Sequence, residues 1–129
     1  MSDRRKTNLV LLSSKKLNEK DVFECHKEEI YRIVNGFEPD KYQFTVGKIH
    51  HKLLIEYLLT LGYEVNEIPQ HPKSLDNSNK KLIRESDGAI FLIYNQSSIM
   101  MQLLEYAHQC KLAMVMPLHF NHNKIKGIS

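Results

Sequence analysis

The most informative part of this chain is the stretch Asn79-Lys-Lys-Leu-Ile-Arg-Glu-Ser-Asp-Gly-Ala-Ile-Phe-Leu-Ile-Tyr-Asn95. Its first half has the polar, periodic pattern of a short helix, and Asp87-Gly88 predicts a turn. The run from Ala89 to Tyr94 is apolar without interruption, which predicts a strand buried on both faces. The polar loop Asn95-Gln-Ser-Ser98 then separates this strand from another amphipathic helix.

The same alternation of strand and helix runs along the whole chain. Strands are predicted at 7–12, 42–46, 63–68, 89–94 and 112–116, and helices at 18–35, 49–61, 76–85 and 98–109. Short connections between parallel strands require right-handed crossovers, so helices should cover both faces of the sheet. We therefore predict an α/β fold, a three-layer Rossmann-like domain with a five-stranded, mainly parallel sheet.

The length of the chain predicts one domain over residues 1–129. Its core is expected at about 7–117, because Pro117 should end the fifth strand. The tail at 118–129 is polar and basic, so we expect it to be extended or loosely packed.

Composition narrows the class of protein. The net charge of +3 is mild and gives only weak support for nucleic-acid binding. Cys25 and Cys110 have neither metal nor redox spacing, which favours free thiols in a reducing compartment. No apolar run is long enough for a signal sequence or a bilayer span. We predict a cytoplasmic protein without membrane contact.

Candidate site residues follow the predicted strands, because ligands bind beyond the carboxyl ends of strands in a parallel α/β sheet. Free N–H groups at the start of the next helices suit anions such as phosphate. Gly47-Lys48 lacks the remainder of a P-loop, so a dedicated triphosphate site is not predicted. The candidate ligand-binding residues are Ser13, Ser14, Lys15, Gly47, Lys48, His50, Asn79, Asn95, Gln96, Ser97 and Ser98.

Each candidate also has an ordinary structural interpretation. Residues 13–15 fit a solvated loop, Asn79 and Ser97 fit helix caps, and at least one of His50 and His51 is expected at the surface. Helix capping explains one member of the 95–98 cluster, but not all of them.

Three further features are assigned structural roles. Asp87 is expected to hold the start of the fourth strand through local hydrogen bonds. His26, His71 and His108 belong to no cluster and are predicted at the surface. The pair His119-Phe-Asn-His122 has the spacing of half a metal site, but no cysteine or carboxylate lies nearby to complete it. No metal and no cofactor are predicted.

The segment Asn79-x-x-Leu-Ile-x-x-Ser-Asp-Gly-Ala-Ile90 resembles the nucleotide-binding SLOG superfamily. This superfamily contains Rossmann-like relatives of DNA-processing protein A and the Lonely Guy phosphoribohydrolases. In one branch an Arg-Asn pair precedes a short helix, and a Ser-Asp or Ala-Asp step leads into the fourth strand. Asn79 and Asp87 match that pattern, while Ser78 replaces the arginine. The resemblance covers roughly residues 9–117.

The chain departs from that branch at its glycines. The Gly-Ser-Arg that ends the first strand is Ser13-Ser14-Lys15 here, and Gly-Ala-Asp at the second helix falls on Ile49-His50-His51. The Gly-Thr turn before the fourth helix falls near Ser98-Ile99. Glycine lets the backbone approach a phosphate closely, so these replacements reshape the pocket.

The resemblance implies a module that binds a nucleotide or NAD-derived small molecule without turnover, as a sensor or sequestering protein. Relatives in bacterial immune systems recognise signalling nucleotides, which implies a bacterial or phage defence context by analogy. Relatives also assemble through helices near the site. Exposed side chains in the set Ile99-Met100-Met101 would therefore indicate a homo-oligomer.

Two alternative functions stay open at this stage. The first is cleavage of an N-glycosidic bond, as in nucleoside deoxyribosyltransferases or phosphoribohydrolases. It would require Glu105 as the catalytic carboxylate, with its side chain in the pocket. The second is a protein-interaction or weak nucleic-acid module whose ligand site is degenerate, which the glycine losses and the basic tail favour.

Overall fold

The computed structural model describes residues 6–121, in which strands and helices alternate along the chain. Two short 3-10 turns, Lys15–Asn18 and Pro72–Ser74, lie within the connections. The strands are β1 (Thr7–Ser13), β2 (Tyr42–Gly47), β3 (Val65–Ile68), β4 (Gly88–Tyr94) and β5 (Met114–Phe120). The helices are α1 (Lys20–Val34), α2 (Lys52–Thr60), α3 (Leu75–Glu85) and α4 (Ser98–Gln109).

The strands form one five-stranded sheet in the order β3-β2-β1-β4-β5, and every pairing is parallel. The predicted α/β, three-layer Rossmann-like architecture is confirmed. From β1 the chain moves outward to β2 and β3, then returns to the other side of β1 as β4. Because the direction of winding reverses between β1 and β4, a crevice opens at their carboxyl ends.

Two apolar layers separate the sheet from its helices. Leu9 and Leu11 of β1 pack in the layer that contains α1 and α2, whereas Val10 and Leu12 pack in the layer that contains α3 and α4. Successive side chains of a strand point to opposite faces, so a continuous apolar run fills both layers. β4 is buried along its whole length for the same reason.

The start of β4 is held by a reciprocal pair of hydrogen bonds to β1. The Asn8 N–H donates to Asp87 Oδ2 at 2.8 Å, and the Asp87 N–H donates to the Asn8 carbonyl at 2.9 Å. Asp87 holds the start of β4 as predicted, but its partner Asn8 lies on β1, 79 residues away in sequence, so the expectation of local hydrogen bonds was wrong.

The last strand extends beyond its predicted end. β5 continues through Pro117, and its parallel pairing with β4 runs from Gly88↔Met114 to Tyr94↔Phe120. Proline is tolerated here because β5 is an edge strand, so a missing N–H can face outward. The prediction that Pro117 ends the strand was wrong. Leu118 to Phe120 belong to the sheet rather than to a loose tail, while 122–129 lie outside the described residues.

His26 is buried, with 0% of its surface exposed, so its predicted surface position was wrong. Its ring packs edge-on against Tyr94 and Phe120, with centroid distances of 5.8 and 5.2 Å. The physical reason is helical spacing, since His26 lies between Phe23 and Ile30 on the buried face of α1. His71 and His108 are exposed, as predicted.

Candidate functional site

A cavity of about 230 Å³ opens beside the carboxyl ends of β1, β2 and β4. This is the edge of the sheet at which α/β proteins bind ligands. The loops after β1 and β2 form one side of the cavity, and the first turns of α3 and α4 form the other. Its lining residues are Ser13, Ser14, Lys15, Ile49, His50, His51, Leu75, Asn79, Ser97, Ile99, Met100 and Leu103.

The structure brings together part of the predicted set. Six candidates line the cavity: Ser13, Ser14, Lys15, His50, Asn79 and Ser97. The other five do not line it: Gly47, Lys48, Asn95, Gln96 and Ser98. The apolar half of the lining was not predicted from the sequence. The spacing of Ile99, Met100 and Leu103 along one face of α4 is the signal that would have identified it.

Helix N-termini converge on the cavity. His51 is the N-cap residue of α2, Leu75 is the first residue of α3, and Ser97 is the N-cap residue of α4. Ser97 Oγ accepts the Met100 N–H at 3.4 Å, which confirms the predicted cap. Within residues 6–121, the N–H groups of Ser98 and Ile99 have no acceptor. Free N–H groups and the helix dipoles favour an anion at this position.

The two serines after β1 build the wall of the cavity. Ser13 Oγ accepts a hydrogen bond from Asn18 Nδ2 at 2.6 Å. Ser14 Oγ accepts the Tyr94 N–H at 2.9 Å, which joins the end of β1 to the end of β4. Both serines are buried. These hydroxyl groups therefore rigidify the crevice between β1 and β4.

His51 is held as a neutral imidazole at the back of the cavity. Its Nε2 accepts the Ser13 N–H at 3.3 Å, so Nε2 carries no proton. The other nitrogen, Nδ1, donates to the Ile49 carbonyl at 2.7 Å. Burial, the largest cause, lowers the pKa of His51. His51 thus fixes the loop after β2 against the loop after β1, and the exposed histidine of the pair is His50.

Positive φ angles cluster in the loops at this edge. His50 has a φ of 68°, and Asn95 and Gln96 have φ values of 50° and 52°. Asparagine and histidine tolerate this region of backbone space, whereas glutamine adopts it less often. The His50 conformation explains why α2 begins at Lys52 rather than at the predicted residue 49. Such backbone strain is more frequent at functional sites than elsewhere.

Within the described residues 6–121, one charged side chain lines the cavity. Lys15 is the only lysine, arginine or carboxylate among the lining residues. Glu105 is exposed on the outer side of α4, where it lines a separate surface depression with Met101 and His108. No carboxylate is therefore available among the lining residues for acid–base or nucleophilic chemistry.

Gln70, which sequence reasoning missed, links the loop after β3 to the cavity wall. Its Nε2 donates to Asn79 Oδ1 at 2.8 Å and to Ser78 Oγ at 3.0 Å. The Gln70 amide crosses directly over Gly47, where a Cβ atom would overlap with it. Gly47 thus makes room for Gln70, although it was predicted to line the ligand pocket.

Comparison with known proteins gives no assignment. No protein-family model matches the chain, and a comparison with curated proteins finds no significant match. The resemblance to the SLOG superfamily stays a prediction.

Two further properties concern residues 6–121. Within that range, no three His, Cys, Asp or Glu side chains stand close enough to hold a metal ion. In the same part of the chain, no helix combines the length and the apolar character needed to cross a bilayer.

Proposed function

We propose that this protein binds a nucleotide or NAD-derived small molecule without turnover, as a sensor or sequestering module. The observation that carries the proposal is the cavity at the reversal of winding between β1 and β4, onto which the N-termini of α2, α3 and α4 converge. A second support is the free N–H group of Ile99, a residue that lines the cavity. A third is Lys15, which adds a positive charge at the same cavity.

The lining of the cavity favours a ligand with two chemically different ends. Ile49, Leu75 and Leu103 provide apolar surface suited to a flat ring such as a nucleobase. Lys15 and the start of α4 suit an oxyanion. At about 230 Å³, the cavity is smaller than the roughly 300–1,000 Å³ of typical ligand pockets. It would enclose one moiety of a dinucleotide or most of a mononucleotide.

The position of Glu105 favours binding over glycosidic cleavage. Glycoside chemistry of the kind considered above needs a carboxylate at the reacting bond. Glu105 is exposed and lines a different depression, and within residues 6–121 no carboxylate lines the cavity. A Glu105→Gln variant should therefore bind nucleotides as well as the wild type does. A loss of nucleotide cleavage in this variant would favour the enzyme.

Thermal-shift curves against a panel of mononucleotides, NAD, ADP-ribose and cyclic dinucleotides test the proposal. A ligand present at roughly 100 times its Kd adds about 2.7 kcal/mol to the stability of the native state. For a chain of this size that corresponds to a rise of about 10 °C in melting temperature. Mass spectrometry of the ligand after incubation should show it intact. No shift with any member of the panel would refute the proposal.

We also propose that the protein forms a homo-oligomer through α4. Ile99 and Met101 are 67% and 40% exposed, and they lie on the helix that borders the cavity. Exposed apolar side chains grouped on one helix are typical of subunit contacts. A monomeric elution profile at micromolar concentration would refute oligomerisation. An Ile99→Asp variant should convert the oligomer to monomer.

A further inference from the structure

The amide of Asn79 is oriented at the cavity wall by one hydrogen bond. Its Oδ1 accepts the hydrogen bond from Gln70 Nε2 at 2.8 Å. An asparagine amide has one acceptor oxygen and one donor nitrogen on opposite sides of the same carbon. With the oxygen turned toward Gln70, the Nδ2 donor group is free to meet a ligand in the cavity. Within residues 6–121, this donor has no partner.

Gln70 is held through its Nε2, whereas its Oε1 is buried without a hydrogen-bond partner among the described residues. Its Nε2 also donates to Ser78 Oγ at 3.0 Å, so one amide group bonds two residues of α3. On its other side the amide lies against Gly47, where any larger residue would displace it. Contacts therefore run from Gly47 at the end of β2 through Gln70 to Asn79 at the cavity wall.

The groups that face the cavity are then mainly hydrogen-bond donors. Lys15 offers an ammonium group, which donates hydrogen bonds but cannot accept them. Asn79 offers Nδ2, and the start of α4 offers backbone N–H groups. The Ser97 Oγ already accepts the Met100 N–H, and its hydroxyl proton can still be donated to a ligand. A site of this kind matches a group that only accepts hydrogen bonds.

We propose that Gln70 is a positioning residue that holds Asn79 as a donor, so that the cavity selects the phosphate group of a mononucleotide. This inference rests on the proposed function and specifies the part of the ligand that the Asn79 side of the cavity contacts. Gly47 leaves the space that the Gln70 amide occupies, and it is not part of a phosphate-binding loop.

The test uses Gln70→Glu, which keeps the shape of the side chain but replaces the donor by an acceptor. Asn79 must then rotate so that its Nδ2 faces the new carboxylate and its oxygen faces the cavity. Calorimetric titration with AMP, adenosine and inorganic phosphate measures the consequence. Asn77→Asp is the control, because it adds the same charge at an exposed position on α3 without contacting Asn79 through any hydrogen bond of the described chain.

The expected result is a loss of AMP affinity of roughly 10- to 100-fold in Gln70→Glu, the usual effect of losing a hydrogen bond to a charged group. The affinity of Gln70→Glu for adenosine should change by less than about threefold. The affinity of Asn77→Asp for AMP should fall by a similarly small factor. Lowering the pH should restore part of the AMP affinity of Gln70→Glu, since a protonated carboxyl can again donate to Asn79.

Two results would overturn the inference while leaving the proposed function in place. One is wild-type protein that binds adenosine as tightly as AMP. The other is an equal loss of AMP affinity in Gln70→Glu and Asn77→Asp. If wild-type protein binds none of the three probes, the phosphate assignment is wrong. If the wider nucleotide panel also gives no melting shift, the proposed function is wrong as well.

A measurement without ligand tests the positioning role separately. In ¹⁵N-labelled wild-type protein, the side-chain amide protons of Gln70 should exchange with solvent more slowly than those of Asn79, because only the former are hydrogen-bonded. In Gln70→Glu, the Asn79 amide protons should become the protected ones. Protection of Asn79 in the wild type would mean that both amides are rotated by 180°, and would overturn the inference whatever the binding data show.

Discussion

Replacement of Ser14 by alanine should destabilise the junction between β1 and β4. Ser14 is 5% exposed, and its Oγ accepts the Tyr94 N–H at 2.9 Å. Alanine would leave that N–H without an acceptor at a buried position. An unsatisfied buried donor costs about 1–3 kcal/mol, and the pairing of β1 with β4 gives the backbone little freedom to find another partner.

Urea denaturation followed by circular dichroism measures this loss. With a urea slope of about 1–3 kcal/mol/M, a loss of 2 kcal/mol lowers the midpoint by roughly 1 M. Ser98→Ala is the matched control, because Ser98 is exposed and makes no side-chain hydrogen bond within residues 6–121. Its unfolding free energy should change by less than about 0.5 kcal/mol. Equal midpoints for the two variants would refute the role assigned to Ser14.

Three further predictions concern Phe120 in the edge strand β5, the buried His51, and the contact between Gly47 and Gln70. Phe120→Ala should lower the unfolding free energy by about 3 kcal/mol, because Phe120 is buried against His26. Leu59→Ala, at a 48% exposed residue, should cost much less in the same urea titration, and equal costs would contradict the burial of Phe120. Burial lowers the pKa of His51 in the native state. Below the ordinary histidine pKa of about 6.5, the imidazole is therefore protonated more readily in the unfolded state than in the native state. Stability should therefore fall as pH drops from 7 to 5, and His51→Gln should flatten that dependence; parallel pH profiles would disprove it. Gly47→Ala should displace Gln70 and reduce the preference for AMP over adenosine, while an unchanged preference would count against this contact.

The fold was predictable where the signal was strong and local. The uninterrupted apolar run of β4 identified a central strand, and the Ser97 cap with the periodic residues after it fixed the bounds of α4 at Ser98–Gln109. Errors arose where a residue's preference depends on its neighbours in the sheet. Pro117 continues a strand because β5 is at the edge, and His26 is buried because aromatic rings enclose it.

The candidate site was predictable in location but not in detail. The alternation of strands and helices placed ligand-binding loops at the carboxyl edge, and Ser13, Ser14, Lys15 and Asn79 do line a cavity there. Their hydrogen bonds depend on distant pairings, since Ser14 and Tyr94 are 80 residues apart in sequence. Gln70 gave no signal at all, because its contact with Asn79 exists only once β3 and α3 are packed together.

The most direct test of a ligand site at this cavity is an amide ¹H–¹⁵N titration of the labelled protein with mononucleotides. Ligand binding at this cavity predicts saturable shifts of the Ile99 amide and of the Asn79 side chain, with Glu105 on the outer side of α4 unaffected. Absence of saturable shifts, or shifts confined to the Glu105 side of α4, would contradict it.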